Sequence, residues 1–197
     1  MVPLLPSPEL VARFRADLER IAGIPARLGV AVSGGPDSLA LLLLSAAAYP
    51  GRLSAATVDH GLRPESGWEA LHVEDICNRI GCPHDVLTVT VSTGGAGLQA
   101  EARHARYAAL AEWVGKRRIP VLATGHHADD QAETVLMRLA RGAGVGGLAG
   151  IRPLRREDGL AIVRPLLRTD YSVVNSAAPA APSNLTRRAP SQPSAGH

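Results

Sequence analysis

Val-Ser-Gly-Gly-Pro-Asp-Ser, residues 32–38, decides the fold. An apolar run, 28–32, leads into it, and a second run rich in strong helix formers, 39–48, follows it. The pattern predicts a strand, a tight Gly-Gly turn and a helix start. Such a junction gathers backbone N–H groups and a helix N-terminus in one place, which suits a polyphosphate. Gly34 and Gly35 let the backbone come close to the anion, Pro36 follows them, and Ser33 and Ser38 add hydroxyl donors. Asp37 would repel a bare phosphate; it makes sense with a Mg²⁺ ion between the two. The competing account is a Ser- or Asp-capped helix after a turn, with no ligand. The heptad is neither a Walker A loop nor a dinucleotide G-x-G-x-x-G, and the only lysine in the chain is Lys116.

Strand and helix patterns alternate on both sides of this junction. Residues 7–21 read as an amphipathic helix with Ser7 as cap and Pro8 at its first position. Strands are expected at 28–32, 53–58, 86–91 and 119–124, with a fifth at 161–167. Helices are expected at 37–48, 65–80 (ended by Gly81), 98–116 and 128–141. Residues 93–97 and 143–151 read as glycine-rich connections. The alternation predicts an α/β fold, a doubly wound parallel sheet of Rossmann-like type, whose ligands bind at the C-terminal ends of the strands. The stretches bearing chemistry, 33–38, 59–63 and 125–130, all fall there. From about residue 170 the periodicity stops, and 175–197 is dominated by Ala, Pro, Ser and Asn, the composition of a disordered tail. The expected division is therefore an N-terminal helix (1–24), a nucleotide-binding domain (25–168) and a low-complexity tail (169–197).

The chain has 197 residues, 46% of them hydrophobic, enough for one domain with a core. Only 3% are aromatic, so that core must be built from Leu, Val, Ile and Ala. A net charge of +3, carried almost wholly by arginine, permits nucleic-acid binding without requiring it. Cys77 and Cys82 form neither a C-x-x-C redox pair nor a zinc quartet and read as small hydrophobes beside a helix. No signal peptide is visible, and no apolar run is long enough to span a bilayer, so a cytoplasmic location without a membrane partner is expected.

Two further clusters follow predicted strands. VDHGLR (58–63) offers Asp59 and His60 to a nucleotide and Arg63 to a phosphate; a plain turn with an exposed arginine is the alternative. In TGHHADDQAET (124–134), Asp130 and Glu133 lie i,i+3 at a helix start and share a face. Two carboxylates near a polyphosphate need cationic company, either Mg²⁺ or a substrate amine; ordinary first-turn acids are the alternative. His126, His127, Asp129 and Asp130 also allow a metal site, but the phosphate loop explains the acids better. Arg103 and Arg106 occupy adjacent turns of one helix, placed either to meet RNA phosphates or to form a solvated face. Arg141 opens a glycine-rich mouth after the acidic helix.

The heptad matches the pyrophosphatase loop, SGGxDS, of the adenine-nucleotide hydrolases. SGGPDS (33–38), VDHGLR (58–63), EARHARYAAL (101–110), ATGHHADDQAETVLMRLARGAG (123–144), GLAGI (147–151) and RPLL (164–167) follow in an order and spacing that resembles the N-terminal catalytic domain of tRNA(Ile)-lysidine synthases. The resemblance implies a ligase that uses ATP to adenylate the C2 carbonyl oxygen of the wobble cytidine in tRNA(Ile) with a CAU anticodon. The ε-amine of free L-lysine then displaces AMP and forms lysidine. ATP and Mg²⁺ are the implied cofactors, and a homodimer is allowed. Asp37, Asp130 and Glu133 are the implied catalytic residues, with Asp37 at the metal and the acidic pair holding the lysine amines. Ser33 to Ser38, Asp59 and His60 would bind the nucleotide. Arg63, Arg103, Arg106, His126 and Arg141 would bind the substrates. After RPLL the family pattern is lost, and the chain is expected to be truncated or frame-shifted beyond about residue 168. The alternatives are a nucleotide-binding fragment without turnover and a tRNA 2-thiolation enzyme with the same loop.

Overall fold

The computed structural model describes residues 6–60, 65–90, 97–126, 151–157, 160–167 and 169. Among the described residues, ten elements run in the order α1 (Pro8–Ala22), β1 (Leu28–Ala31), α2 (Pro36–Ala48), β2 (Leu53–Asp59), α3 (Glu65–Arg79), β3 (His84–Thr88), α4 (Leu98–Arg117), β4 (Val121–Thr124), β5 (Leu154–Glu157) and β6 (Leu160–Val163). They build one six-stranded sheet in the order β3-β2-β1-β4-β6-β5. Every strand pair is parallel except β5–β6 at the edge. The chain runs outward from β1 through β2 to β3, then returns to β4 on the other side of β1. The strand order therefore reverses between β1 and β4, where an open α/β sheet forms its ligand crevice.

Alternation along the strands sorts the core into two layers. Leu28 and Val30 of β1 join Phe14 and Leu18 of α1, Leu39 to Leu44 of α2, and Val73 and Ile76 of α3. On the opposite face, Leu122 packs with Leu110, Trp113 and Val114 of α4. Among the described helices, α1, α2 and α3 thus cover one face and α4 the other, the sides that right-handed crossovers give α2, α3 and α4 for this strand order. The central helix α2 is apolar all round because it is buried on every side, with Leu39 through Leu44 at most 4% exposed. β1 meets α4 closely: a Cβ on Gly29 would lie 3.0 Å from Trp113 Cζ3.

Most expected elements appear within a residue or two. Ser7 caps α1, its Oγ accepting from Leu10 N–H at 3.3 Å, with Pro8 at the first helical position. Strand β3 begins two residues earlier than expected, because pairing with β2 sets its register from His84 opposite Ala55. Thr57 Oγ1 and His84 Nε2, 2.9 Å apart, reinforce that register. The fifth expected strand is shorter than 161–167: β6 stops at Val163, and Pro165, which has no N–H to pair, lies in the turn that follows. The antiparallel edge strand β5 was not expected from Leu-Arg-Arg-Glu, whose charges give it no apolar alternation. The expected helix at 128–141, the connection at 143–150 and the tail from 170 lie outside the described residues.

A polar clamp fixes α4 to the edge of the sheet. Asp85 on β3 accepts from Trp113 Nε1 at 2.6 Å and from Arg117 at 2.7 Å. Burial opposes its charge, but the hydrogen bonds from Arg117 and Trp113 and the guanidinium charge outweigh this, so its pKa lies below the ordinary value. The clamp's contribution is therefore complete above the unfolded carboxylate pKa of about 3.9 and is lost as pH falls through the lower folded value. Asp85→Asn should lower stability by about 1 kcal/mol at neutral pH, the charged bonds being partly screened. It should also flatten the loss of stability below about pH 4 relative to the parent chain. Urea denaturation across that pH range checks both, and parallel stability curves would refute the clamp.

Candidate nucleotide site

A cleft of about 500 Å³ opens at the C-terminal ends of β1, β2 and β4, where the strand order reverses. Its floor is the turn between β1 and α2. Gly34 takes φ +87°, a conformation that favours glycine, and Gly35 is the N-cap of α2. No side chain caps this helix, and Pro36 occupies its first turn. The Ser/Asp-capped alternative is therefore not what the turn adopts. An uncapped N-terminus facing a cleft presents the positive end of the helix dipole and its N–H groups to an anion.

Ser38 braces the turn. Its hydroxyl donates to Gly35 C=O at 2.9 Å and accepts from Ser33 N–H at 3.1 Å, with Ser33 Oγ at 3.2 Å. Ser33 Oγ donates that last bond, so both hydroxyl protons stay within the loop, and the exposed Ser33 oxygen keeps its lone pairs towards the cleft. The loop after β4 presses against the same turn. A Cβ on Gly125 would lie 3.1 Å from both the Cα and the backbone N of Ser38, so a larger residue would have to push this backbone aside by a few tenths of an ångström.

The sequence candidates separate clearly. Ser33, Gly35, Asp37, Ser38, His60, Arg106 and His126 all line the cleft. Gly34 shapes the turn from behind, with Glu69 Cβ 3.2 Å from where its own Cβ would be. Asp59 ends β2 and its carbonyl accepts from Val89 N–H, so its backbone belongs to the sheet edge. Arg103 stands outside the cleft. It lies over the Tyr107 ring, 5.2 Å from the centroid, and borders a larger groove of about 850 Å³ between α4 and the β4–β6 face. That groove is lined mainly by apolar side chains such as Val114, Leu122 and Ile162 and lies away from the phosphate turn. Arg63, Asp130, Glu133 and Arg141 lie outside the described residues, and so does all of the alternative metal cluster except His126.

Arg106 Nη2 lies 3.4 Å from His60 Nε2, a contact in which only the guanidinium can donate. Burial and then the Arg106 charge lower the His60 pKa, against the opposing pull of Asp59. The imidazole therefore stays neutral at neutral pH and carries its proton on Nδ1. Thr124 Oγ1 and His126 Nδ1 are 3.1 Å apart on the opposite wall. Glu69 of α3 also lines the cleft and was missed in the sequence reading, because it belongs to no motif and only the packing of α3 on Gly34 brings it there. Asp37 and Glu69 give the cleft two carboxylates, hard oxygen donors of the kind Mg²⁺ takes. Cys77 and Cys82 are buried in the core and do not line it.

Residues 11–181 match the PP-loop domain family. The chain belongs to this family of ATP-binding domains. It is 50% identical over 168 residues to the tRNA(Ile)-lysidine synthase of Zymomonas mobilis, covering 80% of this chain and 50% of that protein. It is 51% identical to the tRNA(Ile)-lysidine synthase of Ruegeria pomeroyi, covering 81% of this chain and 38% of that one. The chain thus spans about half or less of the length of these relatives. Among solved structures, the U34-tRNA thiolase NcsA from Methanococcus maripaludis with its [4Fe-4S] cluster superposes with a TM-score of 0.67 at 19% identity, covering 85% of this chain and 63% of that one. The NH3-dependent NAD synthetase of Campylobacter jejuni gives a TM-score of 0.54 at 13% identity, covering 86% and 69%. These two likenesses concern the fold alone. Among the described residues, no helix is long and apolar enough to cross a membrane.

Gly125→Ala tests the geometry of the floor. The added methyl meets backbone rather than a flexible side chain. Its cost should be about 1–3 kcal/mol of stability, as for overpacking elsewhere, and ATP should bind at least about tenfold more weakly. Calorimetric titration with MgATP checks this; unchanged affinity would show that the loop after β4 does not shape the site.

Proposed function

We propose that the chain is the ATP-using part of a tRNA(Ile)-lysidine synthase. The observation that carries the reading is the uncapped start of α2, behind the Gly34–Gly35 turn, at the reversal point of the sheet. Sequence identity near 50% to lysidine synthases supports the choice of substrate class.

In this reading the polyphosphate lies on the turn, and the N-terminus of α2 stabilises negative charge as pyrophosphate departs. Mg²⁺, held by Asp37 with Glu69 close by, would offset phosphate charge. The C2 carbonyl oxygen of the wobble cytidine attacks the α-phosphorus, forming an O–P bond as the bond to pyrophosphate breaks. Adenylation turns a poor leaving group into a good one. The lysine ε-amine then forms the C–N bond at C2, AMP departs with the oxygen, and the amine gives up a proton. Neutral His60 and cationic Arg106 face the nucleotide from the β2 side. Asp130 and Glu133 pair with the amines of lysine, and Arg63 and Arg141 meet RNA phosphates. The buried position of both cysteines disfavours the thiolation alternative, which needs sulfur or cluster ligands at the cleft. The fragment reading, a nucleotide-binding chain without turnover, is the alternative that the test below separates.

The test is incorporation of labelled lysine into a tRNA(Ile) CAU transcript, run beside ATP–pyrophosphate exchange. The parent chain should support both, and Asp37→Ala should abolish both with little loss of fold stability. Glu133→Ala should raise the lysine requirement by about one to two decades, the worth of a charge-assisted contact, and the ATP requirement far less. Exchange without incorporation would support the fragment reading. Neither activity in the parent chain, with the fold intact, would overturn the proposal.

A further inference from the structure

We propose that Cys77 and Cys82 form a dithiol clasp at the C-terminus of α3 that closes reversibly to an intramolecular disulfide, with a small-molecule disulfide such as oxidised glutathione as the oxidant. The inference rests on how α3 ends. Gly81 takes φ +65°, and Cys82 N–H reaches back to Cys77 C=O at 2.9 Å. This is the six-to-one bond of a Schellman turn, which sets the side chains on either side of the glycine against each other. The pair in contact is usually two hydrocarbons; here it is two thiols. A hydrogen bond of that length across the turn holds the two α-carbons roughly 5–6 Å apart, inside the span a disulfide bridges. The spacing C-x₄-C is no recognised redox motif in sequence, which is why only the turn reveals the pair.

Both residues belong to the same core cluster, Cys77 at 0% and Cys82 at 7% exposure, and both are free thiols. The Cys82 thiol donates to Pro83 C=O at 3.6 Å. The neighbouring thiol and burial raise the Cys77 pKa, whereas the nearness of Cys77 lowers that of Cys82 against burial. Cys82, the more exposed of the two, is the attacking sulfur. Its thiolate attacks one sulfur of the external disulfide, that S–S bond breaks, and a glutathione thiolate leaves and takes up the proton lost by Cys82. Cys77 then attacks the Cys82 sulfur of the mixed disulfide, and the second glutathione leaves and takes up the Cys77 proton. Two protein thiols are oxidised to one disulfide, and one external disulfide is reduced to two thiols. The clasp lies on the helix whose earlier turns carry Glu69 against the phosphate turn, but it touches neither the cleft nor its ligating groups.

The experiment equilibrates the full chain, native and urea-unfolded, in buffers of graded oxidised-to-reduced glutathione ratio. Acid quenching, alkylation and peptide mass analysis then read the state of residues 77 and 82. The native chain should form the 77–82 disulfide, lighter by two hydrogens, at a ratio at least about tenfold more reducing than the unfolded chain requires, because the turn already holds the two residues side by side. Cys77→Ser should accumulate a glutathione adduct on Cys82, and Cys82→Ser should stay largely unmodified. The parent chain carries the decisive comparison, so the result does not depend on either variant folding. Oxidation of the unfolded chain at the same or a more reducing ratio, disulfide-linked dimers in place of the internal bond, or a persistent adduct on the parent chain would each overturn the proposal.

Discussion

Everything at the proposed site depends on one backbone junction, the turn that carries the chain from β1 into α2. Its positive φ at Gly34 and its N-cap at Gly35 start a helix without spending a side chain on capping. The N–H groups left over are the resource an anion uses. The Ser38 hydroxyl holds the turn in shape by bonding Gly35 and Ser33, so the floor is rigid before any ligand arrives. Gly125 lets the β4 loop lie directly against it, and Glu69 closes the far side from α3. Two segments distant in sequence, the β4 loop and α3, converge on this single turn, which lies where the strand order reverses.

The packing explains why the junction stays in place. β1 is central, paired in parallel to β2 and β4, and its turn emerges where those pairings end. α2 behind it is buried on all sides, so the helix whose N-terminus faces the cleft cannot shift without disturbing α1, α3 and the sheet together. On the other face, Trp113 fills the space over Gly29, and the Asp85 clamp fixes α4 at the sheet edge. α4 in turn sets Arg106 against His60. The electrostatic balance of the cleft thus comes from the same contacts that stabilise the fold: a positive floor and a cationic wall facing two carboxylates.

Much of this was legible in the sequence because the informative features are local. A strand, a Gly-Gly turn and a helix start declare themselves within residues 28–48, and Ser7 with Pro8 announces α1 in two residues. What sequence could not show was decided by tertiary contact. The register of β3 follows from Ala55 lying opposite His84, not from the alternation of 86–91. β5 exists because β6 offers an edge, although its own residues are charged. Glu69 enters the site through helix packing, and Arg103, one turn from Arg106, leaves it through the helical phase of α4. Cys77 and Cys82 read as two buried hydrophobes until the Schellman turn sets the two residues side by side.

The central claim is that a polyphosphate binds on the β1–α2 turn, and backbone amide resonances report on it most directly. On titration of the ¹⁵N-labelled chain with MgATP, the largest shifts should fall on Ser33, Gly34, Gly35, Asp37 and Ser38, with smaller ones at His60 and at Thr124 to His126. Inorganic pyrophosphate should reproduce the shifts of the turn without those at His60. Saturable binding whose largest shifts lie elsewhere, for example along the α4 groove at Val114 to Leu122, with the turn unmoved, would contradict the account.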